Sequence, residues 1–312
     1  MILSLVVPCY NEEKNVYKFY ETVKSTFNDL IYNTEIIFIN DGSTDNTLSE
    51  LKKICNENKS DIKIISFSRN FGKEAAMLAG LEKSSGDYTC IIDADLQQNP
   101  KYVLDMLQII KENSDIDGVV AYQKDRKDGK VLKKLKNCFY TLINKITDIK
   151  FYKSASDFRL FNRNMIKSIL SMPERCRFSK GIFSWIGYNV YYMPYNVESR
   201  NSGKSKWNFW KLSTYAMDGI IAFSDKPLII SSILGIIFFI ISIIMMLYVV
   251  IKTLIFGDPV AGFPTLASLI LLLSGLQLLT IGILGQYISK MYTEIKNRPH
   301  YIIKEEFDNI TK

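Results

Sequence analysis

The 312-residue chain has almost no histidine: His300, close to the C-terminus, is the only one. That count excludes a multi-histidine zinc site, and a Ser-His-Asp triad, for which this residue would be the sole base, is not expected. Cysteine is sparse as well. The five present form no close pairs, which argues against a disulfide framework and suits a reducing compartment, where they read as small apolar core residues. Charge is missing from two long stretches. No charged residue lies between Pro227 and Ile251, and Asp258 is the only one between Lys252 and Lys290. As a helix, residues 228–251 would extend about 36 Å, enough to cross a bilayer core, and a second candidate runs from about Thr265 to Ser289. The competing account is a hairpin buried inside a soluble protein, which the length and purity of both runs disfavour. Neither span holds an ionisable pair, so the pattern is not that of a transporter or channel built by this chain alone.

What is present is basic. The formal net charge of +7 calls for an anionic partner: nucleic acid on one side, an anionic membrane or a phosphorylated substrate on the other. The stretch "DRKDGKVLKKLKN" is unaccompanied by any nucleic-acid motif, so it reads as a solvated or lipid-facing surface and no nucleic-acid partner is expected. The opening "MILSLVVPCYNEE" is too short in its apolar run, and lacks the basic lead, to be a secretory signal; it reads as a first buried strand. The link "KTLIFGDPVAGFP" between the spans carries one lysine. The flanks carry Lys204, Lys206, Lys211 and Lys226 before them and Lys290, Lys296, Arg298 and Lys304 after. This asymmetry places both termini and the first two hundred residues on the cytoplasmic side of a cell inner (plasma) membrane, as a multi-pass protein. The expected division is a cytoplasmic domain at 1–200, a juxtamembrane amphipathic segment at 201–226, a two-helix hairpin at 227–290 and a cytoplasmic tail at 291–312. In the juxtamembrane segment Trp207, Trp210, Thr214, Met217 and Ile221 recur at helical spacing behind lysines, as at a bilayer interface.

Within the first domain, the apolar runs "LSLVV", "EIIFI", "IKIISF" and "YTCII" are each followed by turn residues and a helix-like stretch. That alternation predicts an α/β domain with a parallel sheet, whose ligand crevice lies beyond the carboxyl ends of the strands. The turns at those ends are "PCYNEE", "NDGSTD", "SRNFGKEAA" and "DADLQQNP", all polar. In the last, an extended Asp93-Ala94-Asp95 would put both carboxylates on one face with Ala94 in the core, while Asn99 and Pro100 start a helix. Two carboxylates held that close require a compensating cation or donors. With no histidine or thiolate beside them, the pair suits a hard, oxygen-seeking ion, Mg2+ or Mn2+, of the kind that bridges carboxylates and substrate phosphates. Asp41 emerges at its strand end beside the crevice. Asp45 reads as a cap for the next helix, and Arg69 and Lys73 flank a glycine, either as diphosphate neighbours or as solvated charges.

In order and spacing these segments resemble the inverting family-2 glycosyltransferases of the GT-A fold. "SDFRLFNRNMIKSILSMPERCRFSKGIFSWIGY", "RNSGKSKW" and the two spans are similar to the polyprenyl-phosphate glycosyltransferases. The bactoprenol (undecaprenyl-phosphate) glucosyltransferase branch is the best match, and the dolichyl-phosphate mannose synthases are related. The resemblance implies a Rossmann-like GT-A domain, an interfacial helix and two transmembrane helices. It implies transfer of a sugar, glucose from UDP-glucose favoured, to a polyprenyl phosphate for cell-envelope glycosylation, with N-acetylglucosamine, galactose or mannose as other sugars. It further implies that Pro8, Tyr10 and Glu12 line the nucleoside pocket, that Asp41 contacts the base, and that Lys73 and Gln97 bind the nucleotide sugar. Asp93 would lie by ribose and diphosphate, Asp95 would be the main ligand of Mg2+ or Mn2+, and Asp157 would match the acceptor-side aspartate usually assigned as catalytic base in the family. Arg159, Arg200 and Lys204 would meet the acceptor phosphate, and a homo-oligomer, a tetramer by resemblance, is implied. Asn40 departs from the pattern, since many members carry aspartate there. Because a phosphate monoester is largely a dianion at cytoplasmic pH, Asp157 is expected to orient the acceptor or its arginines rather than deprotonate it. A processive polysaccharide synthase would carry a QxxRW motif and more spans, neither of which is present. A silent sugar-nucleotide sensor or scaffold would have no need of Asp93, Asp95 and Asp157. The strand-like core of "NRPHYIIKEEF" is a candidate for pairing with another subunit.

Overall fold

The computed structural model describes residues 1–27, 33–57, 62–123, 140–141, 143–145, 147, 152, 155–196, 220–256 and 262–308. The chain first alternates strand and helix: β1 (Ile2–Cys9), α1 (Val16–Phe27), β2 (Asn33–Asn40), α2 (Thr47–Glu57), β3 (Ile62–Phe67), α3 (Lys73–Lys83), β4 (Tyr88–Ile91), α4 (Lys101–Glu112) and β5 (Gly118–Gln123). Then come β6 (Ala155–Asn162), α5 (Arg163–Leu170), α6 (Ser179–Trp185) and β7 (Val190–Tyr195). Two long helices, α7 (Lys226–Phe256) and α8 (Phe263–Lys296), precede a last strand, β8 (Ile303–Asp308). All eight strands form one sheet in the order β7-β5-β6-β4-β1-β2-β3-β8. The first four strands in chain order are parallel, β4-β1-β2-β3, as the alternating pattern predicts. β6 is inserted antiparallel between β4 and β5, and β8 runs antiparallel along β3.

Strand side chains alternate between two buried layers. On β1 and β2, Leu3, Leu5, Val7, Ile36 and Phe38 face the core with α1, α2 and α4. Val6, Ile37 and Ile39 face the opposite core with α3, α5 and α6. Both faces covered by helices is the burial that a parallel sheet requires. Pro8, next to last in β1, lies beyond the Val6–Ile91 pair at which β4 stops, so its missing N–H breaks no ladder bond on that side.

α7 and α8 are long and apolar enough to cross a membrane and are candidate spans. They are not a buried hairpin: Phe239 is 66% exposed and Leu278 70%. α8 outruns the expected hairpin limit at residue 290 and stops at Asn297, whose left-handed φ of 47° caps it. The tail then folds back on its own chain. β8 pairs with β3, Tyr301 stacks on Phe67 with ring centroids 4.8 Å apart, and Glu305 meets Lys52 at 2.7 Å. The strand read as a candidate for another subunit is thus the edge of this chain's own sheet. Most of the juxtamembrane segment, with Trp207, Trp210, Thr214 and Met217, lies outside the described residues, as do Arg200 and Lys204 and the basic stretch "DRKDGKVLKKLKN".

Candidate active site

The parallel registers Cys9–Asn40, Asn40–Ser66 and Val6–Ile91 put the carboxyl ends of β1 to β4 on one edge of the sheet. The four polar turns therefore line one crevice, as their sequence placement predicts. β6 brings the fifth contribution. It pairs with β4 as far as Ile91 opposite Arg159, so Asp93 and Asp157, each two residues beyond that pair, emerge at the same end on opposing strands.

Lys73 closes this opposition. As the first residue of α3, it places its ammonium 2.6 Å from Asp93 Oδ1 and 3.2 Å from Asp157 Oδ2. Desolvation favours its neutral form, but Asp93 and Asp157 overcome this and hold its pKa well above the ordinary lysine value. Burial likewise works to raise the Asp157 carboxyl. The charges of Lys180, Lys73 and Arg159 outweigh it and leave that carboxyl well below the usual carboxylate range. The repulsion foreseen between the carboxylates is thus answered, for Asp93, by a lysine of the neighbouring turn.

The turn carrying the aspartates is tighter than the extended form expected. β4 ends at Ile91, a turn begins at Ala94, and Leu96 adopts a left-handed φ of 59°. Ala94 is buried, as its place between the carboxylates predicts. Asp95 Oδ1 accepts from Gln97 N at 3.1 Å, a local side-chain turn that fixes the bend. Gln98, which the sequence reading passed over, holds Asp93 at both ends. Its Oε1 accepts from Asp93 N at 2.9 Å and its Nε2 donates to Asp93 Oδ2 at 3.1 Å. Gln97, the expected sugar-nucleotide ligand, contributes that backbone N–H to the turn. Asn99 Oδ1 accepts from Lys101 N at 3.0 Å at the mouth of α4.

Asp41 is buried, and both of its oxygens are engaged: Phe71 N donates to Oδ1 at 2.7 Å and Gly72 N to Oδ2 at 2.9 Å. Desolvation raises its pKa against these two bonds and the nearby Arg69 charge. In this conformation Asp41 therefore fastens the loop that delivers Lys73, where the sequence reading expected it to face a base. Gly42, with φ of 61°, lets that loop come close, since a Cβ there would meet Arg69 C at 2.2 Å. Asn40 Nδ2 donates to Ser66 Oγ at 2.9 Å and its Oδ1 accepts from Ser43 N at 3.2 Å, so it ties strand ends together. Asp45 behaves as a cap, its Oδ1 accepting from Thr47 N at 3.0 Å. Tyr10 is 38% exposed beside the crevice, and Glu12 Oε2 accepts from Asn15 Nδ2 at 2.6 Å.

On the β6 side, Arg159 is 5% exposed, its Nε donates to Ser156 O at 3.0 Å, and its guanidinium lies over the Phe183 ring at 4.9 Å. Its charge lowers the Asp157 carboxyl from inside the protein. The more exposed cation is Lys180, on α6, whose Nζ is 3.7 Å from Asp157 Oδ1. Glu74, next to Lys73, accepts from Ser179 N at 3.0 Å and also from Ser179 Oγ. Burial and the Asp157 charge hold the Glu74 carboxyl above its ordinary value. Neither Lys180 nor Glu74 stands out in sequence, where each sits in an ordinary helix start.

Among the described residues no group of three or more His, Cys, Asp or Glu gathers to hold an ion unaided. Asp93 and Asp95, two carboxylates at one strand end, are the oxygen donors that a hard cation shares with substrate phosphates, so the donor chemistry fits Mg2+ or Mn2+.

Fold and crevice define an α/β transferase domain of the GT-A type, carried on two apolar helices. Residues 4–170 match the model of Glycosyl transferase family 2. The SfII prophage-derived bactoprenol glucosyl transferase of Shigella flexneri is 42% identical over 98% of this chain and 98% of its own length. The prophage bactoprenol glucosyl transferase homolog of Escherichia coli K12 is 40% identical over 97% of this chain and 99% of its own. Among solved structures, the glucosyl-3-phosphoglycerate synthase of Mycobacterium tuberculosis with Mn2+, uridine diphosphate and phosphoglyceric acid shares the fold. Its TM-score is 0.51 at 17% identity, over 70% of this chain and 76% of that one. The chain belongs to glycosyl transferase family 2.

Proposed function

We propose that this enzyme transfers glucose from a nucleotide sugar, UDP-glucose, to a polyprenyl phosphate at the cytoplasmic face of the membrane. The observation that carries the reading is the Asp93–Lys73–Asp157 bridge, which joins the donor-side turn to β6 in a chain that continues into two exposed apolar helices. The full-length similarity to proteins named bactoprenol glucosyl transferase supports the acceptor and the sugar. Both termini are cytoplasmic in this reading.

On the donor side, Pro8, Tyr10 and Glu12 border the nucleoside, Asp41 holds the loop that presents Lys73, and Gln98 orients Asp93. Asp95, with Asp93, would hold Mg2+ or Mn2+, which when bound neutralises charge on the departing diphosphate. Lys73 is placed to follow that charge, since its ammonium lies between the two halves of the crevice. On the acceptor side Asp157, Arg159 and Lys180 set the electrostatics, and Arg200 at the end of the domain and Lys204 of the juxtamembrane segment add positive charge.

Asp157 is a poor general base. Its carboxyl is held well below the usual range, first by Lys180 and then by Lys73 and Arg159 against the effect of burial, so it has little affinity for a proton. The attacking phosphate needs none removed once its second ionisation, near pH ~6, is complete. Asp157 therefore orients the lysines around the acceptor. Asp157→Asn is expected to lower kcat by about a hundredfold or more while leaving the acid limb of the pH profile near pH ~6, where the acceptor itself titrates. A limb that vanishes in the variant would establish a base role.

The defining experiment is incubation of membranes containing the protein with undecaprenyl phosphate and separate nucleotide sugars, with and without EDTA. Lipid-linked glucose from UDP-glucose, abolished by EDTA, is the expected product. No lipid-linked product from any donor overturns the reading.

A further inference from the structure

α6 is gripped by the membrane hairpin from both ends. Ahead of α7, Phe223 packs on Gly181, where a Cβ would meet Phe223 Cε2 at 2.2 Å, and its ring lies 6.1 Å from that of Phe178. At the far end of the hairpin, Glu294 of α8 turns its carboxylate onto the loop that leads into α6. Arg175 N donates to Glu294 Oε1 and Oε2, each at 2.9 Å, and Cys176 N donates to Oε1 at 2.8 Å. The Arg175 guanidinium reaches one turn-residue further, its Nε donating to Asn297 Oδ1 at 2.9 Å. Bonds from backbone N–H groups to a carboxylate are among the strong ones, and two N–H groups converge on this one, that of Arg175 shared between its oxygens.

Four residues beyond Cys176 stands Lys180, 3.7 Å from Asp157, and between them Ser179 is held by Glu74 beside Lys73. The lipid spans and the charged centre are thus joined through one short segment. A lipid acceptor is held by its hydrocarbon in the bilayer, so its phosphate reaches the crevice at a height fixed by the spans. Lys180 must be held at the same height, and a misplacement of about 1 Å can lower a rate a hundredfold.

We propose that Glu294 is a positioning residue, which registers the segment 175–181 against the membrane hairpin so that Lys180 meets the phosphate of a membrane-embedded acceptor. This rests on the transfer reading given above and adds the link between the spans and the site.

The test uses the full-length protein in lipid nanodiscs, with undecaprenyl phosphate and UDP-glucose each varied at saturating levels of the other. Glu294→Ala should lower kcat/KM for the lipid by about tenfold or more and leave that for UDP-glucose within about twofold. Glu294→Gln, which keeps an accepting oxygen, should recover most of the loss. Amide hydrogen exchange at Arg175 and Cys176 should accelerate in Glu294→Ala, with the exchange of β1 and β2 unchanged. If the wild type makes lipid-linked glucose but the alanine variant retains its lipid kcat/KM, or loses both substrates' values together with global protection, the positioning role is wrong. A wild type that makes no lipid-linked product removes the transfer reading itself, and this inference with it.

Discussion

Lys73 is the residue on which the site's electrostatics turn. It binds Asp93 and Asp157 from one ammonium, and its own pKa is raised by them against desolvation. A raised lysine pKa contributes stability that is present below the unfolded value and lost only as pH rises through the folded one. The lowered Asp157 pKa contributes stability present above the unfolded carboxylate value and lost as pH falls through the folded one. Lys73 and Asp157 are therefore both expected to stay charged across the neutral range. Lys73→Met removes one of the cations that hold Asp157 down, so its carboxyl rises. Acid-induced loss of thermal stability should then begin at higher pH than in the wild type, and kcat should fall about a hundredfold. Thermal melts across pH and a single-turnover assay read both effects. Gln98 offers a sharper comparison, because it holds Asp93 through its side chain whereas Gln97 serves Asp95 through its backbone. Gln98→Ala should cost about tenfold in kcat/KM for the donor, and Gln97→Ala less than about threefold, as initial rates against UDP-glucose will show.

The loops between elements are held by side chains that look functional and by backbone geometry that looks incidental. Asp41 and Gly42 work as a unit: the carboxylate clamps Phe71 and Gly72, and the glycine admits the Arg69–Asn70 backbone within the space a Cβ would fill. Gly42→Ala combines a left-handed φ with a 2.2 Å clash against backbone, which cannot move aside cheaply. It is expected to destabilise the domain by about 1–3 kcal/mol and to weaken donor binding by displacing Lys73, measurable by calorimetry and by UDP titration. The strand-turn-helix units that carry these loops were legible in sequence from period-two apolar runs and polar ends. The direction in which Asp41 turns was not, because the loop it clamps is contributed by the next strand's turn.

At the scale of the molecule, the tail after the second long apolar helix closes the sheet. β8 covers the edge of β3, Phe307 packs on the main core cluster, and Tyr301 stacks on Phe67. The accompanying pairs Lys52–Glu305 and Lys83–Glu306 are surface contacts, worth about 0–1 kcal/mol each. Ending the chain after Asn297 should therefore lower the melting temperature by several degrees and promote aggregation through the bared β3 edge. Reversing Lys83 and Glu306 together should change it little, as differential scanning calorimetry will report.

Taken by itself, the sequence determined the strand-turn-helix repeat of the first domain, the polar residue types at its strand ends, the want of histidines for a multi-histidine metal site and the two long apolar runs. Each of these follows from local periodicity and composition, which short segments carry on their own. Only the tertiary structure decided that Lys73 lies between Asp93 and Asp157, and that Glu294 returns from the second long helix to the loop before Lys180. Those meetings depend on β6 entering the sheet antiparallel beside β4 and on a helix end docking on a distant loop. They are set by burial of the two sheet faces and by pairing of strand edges, long-range requirements that no local pattern records.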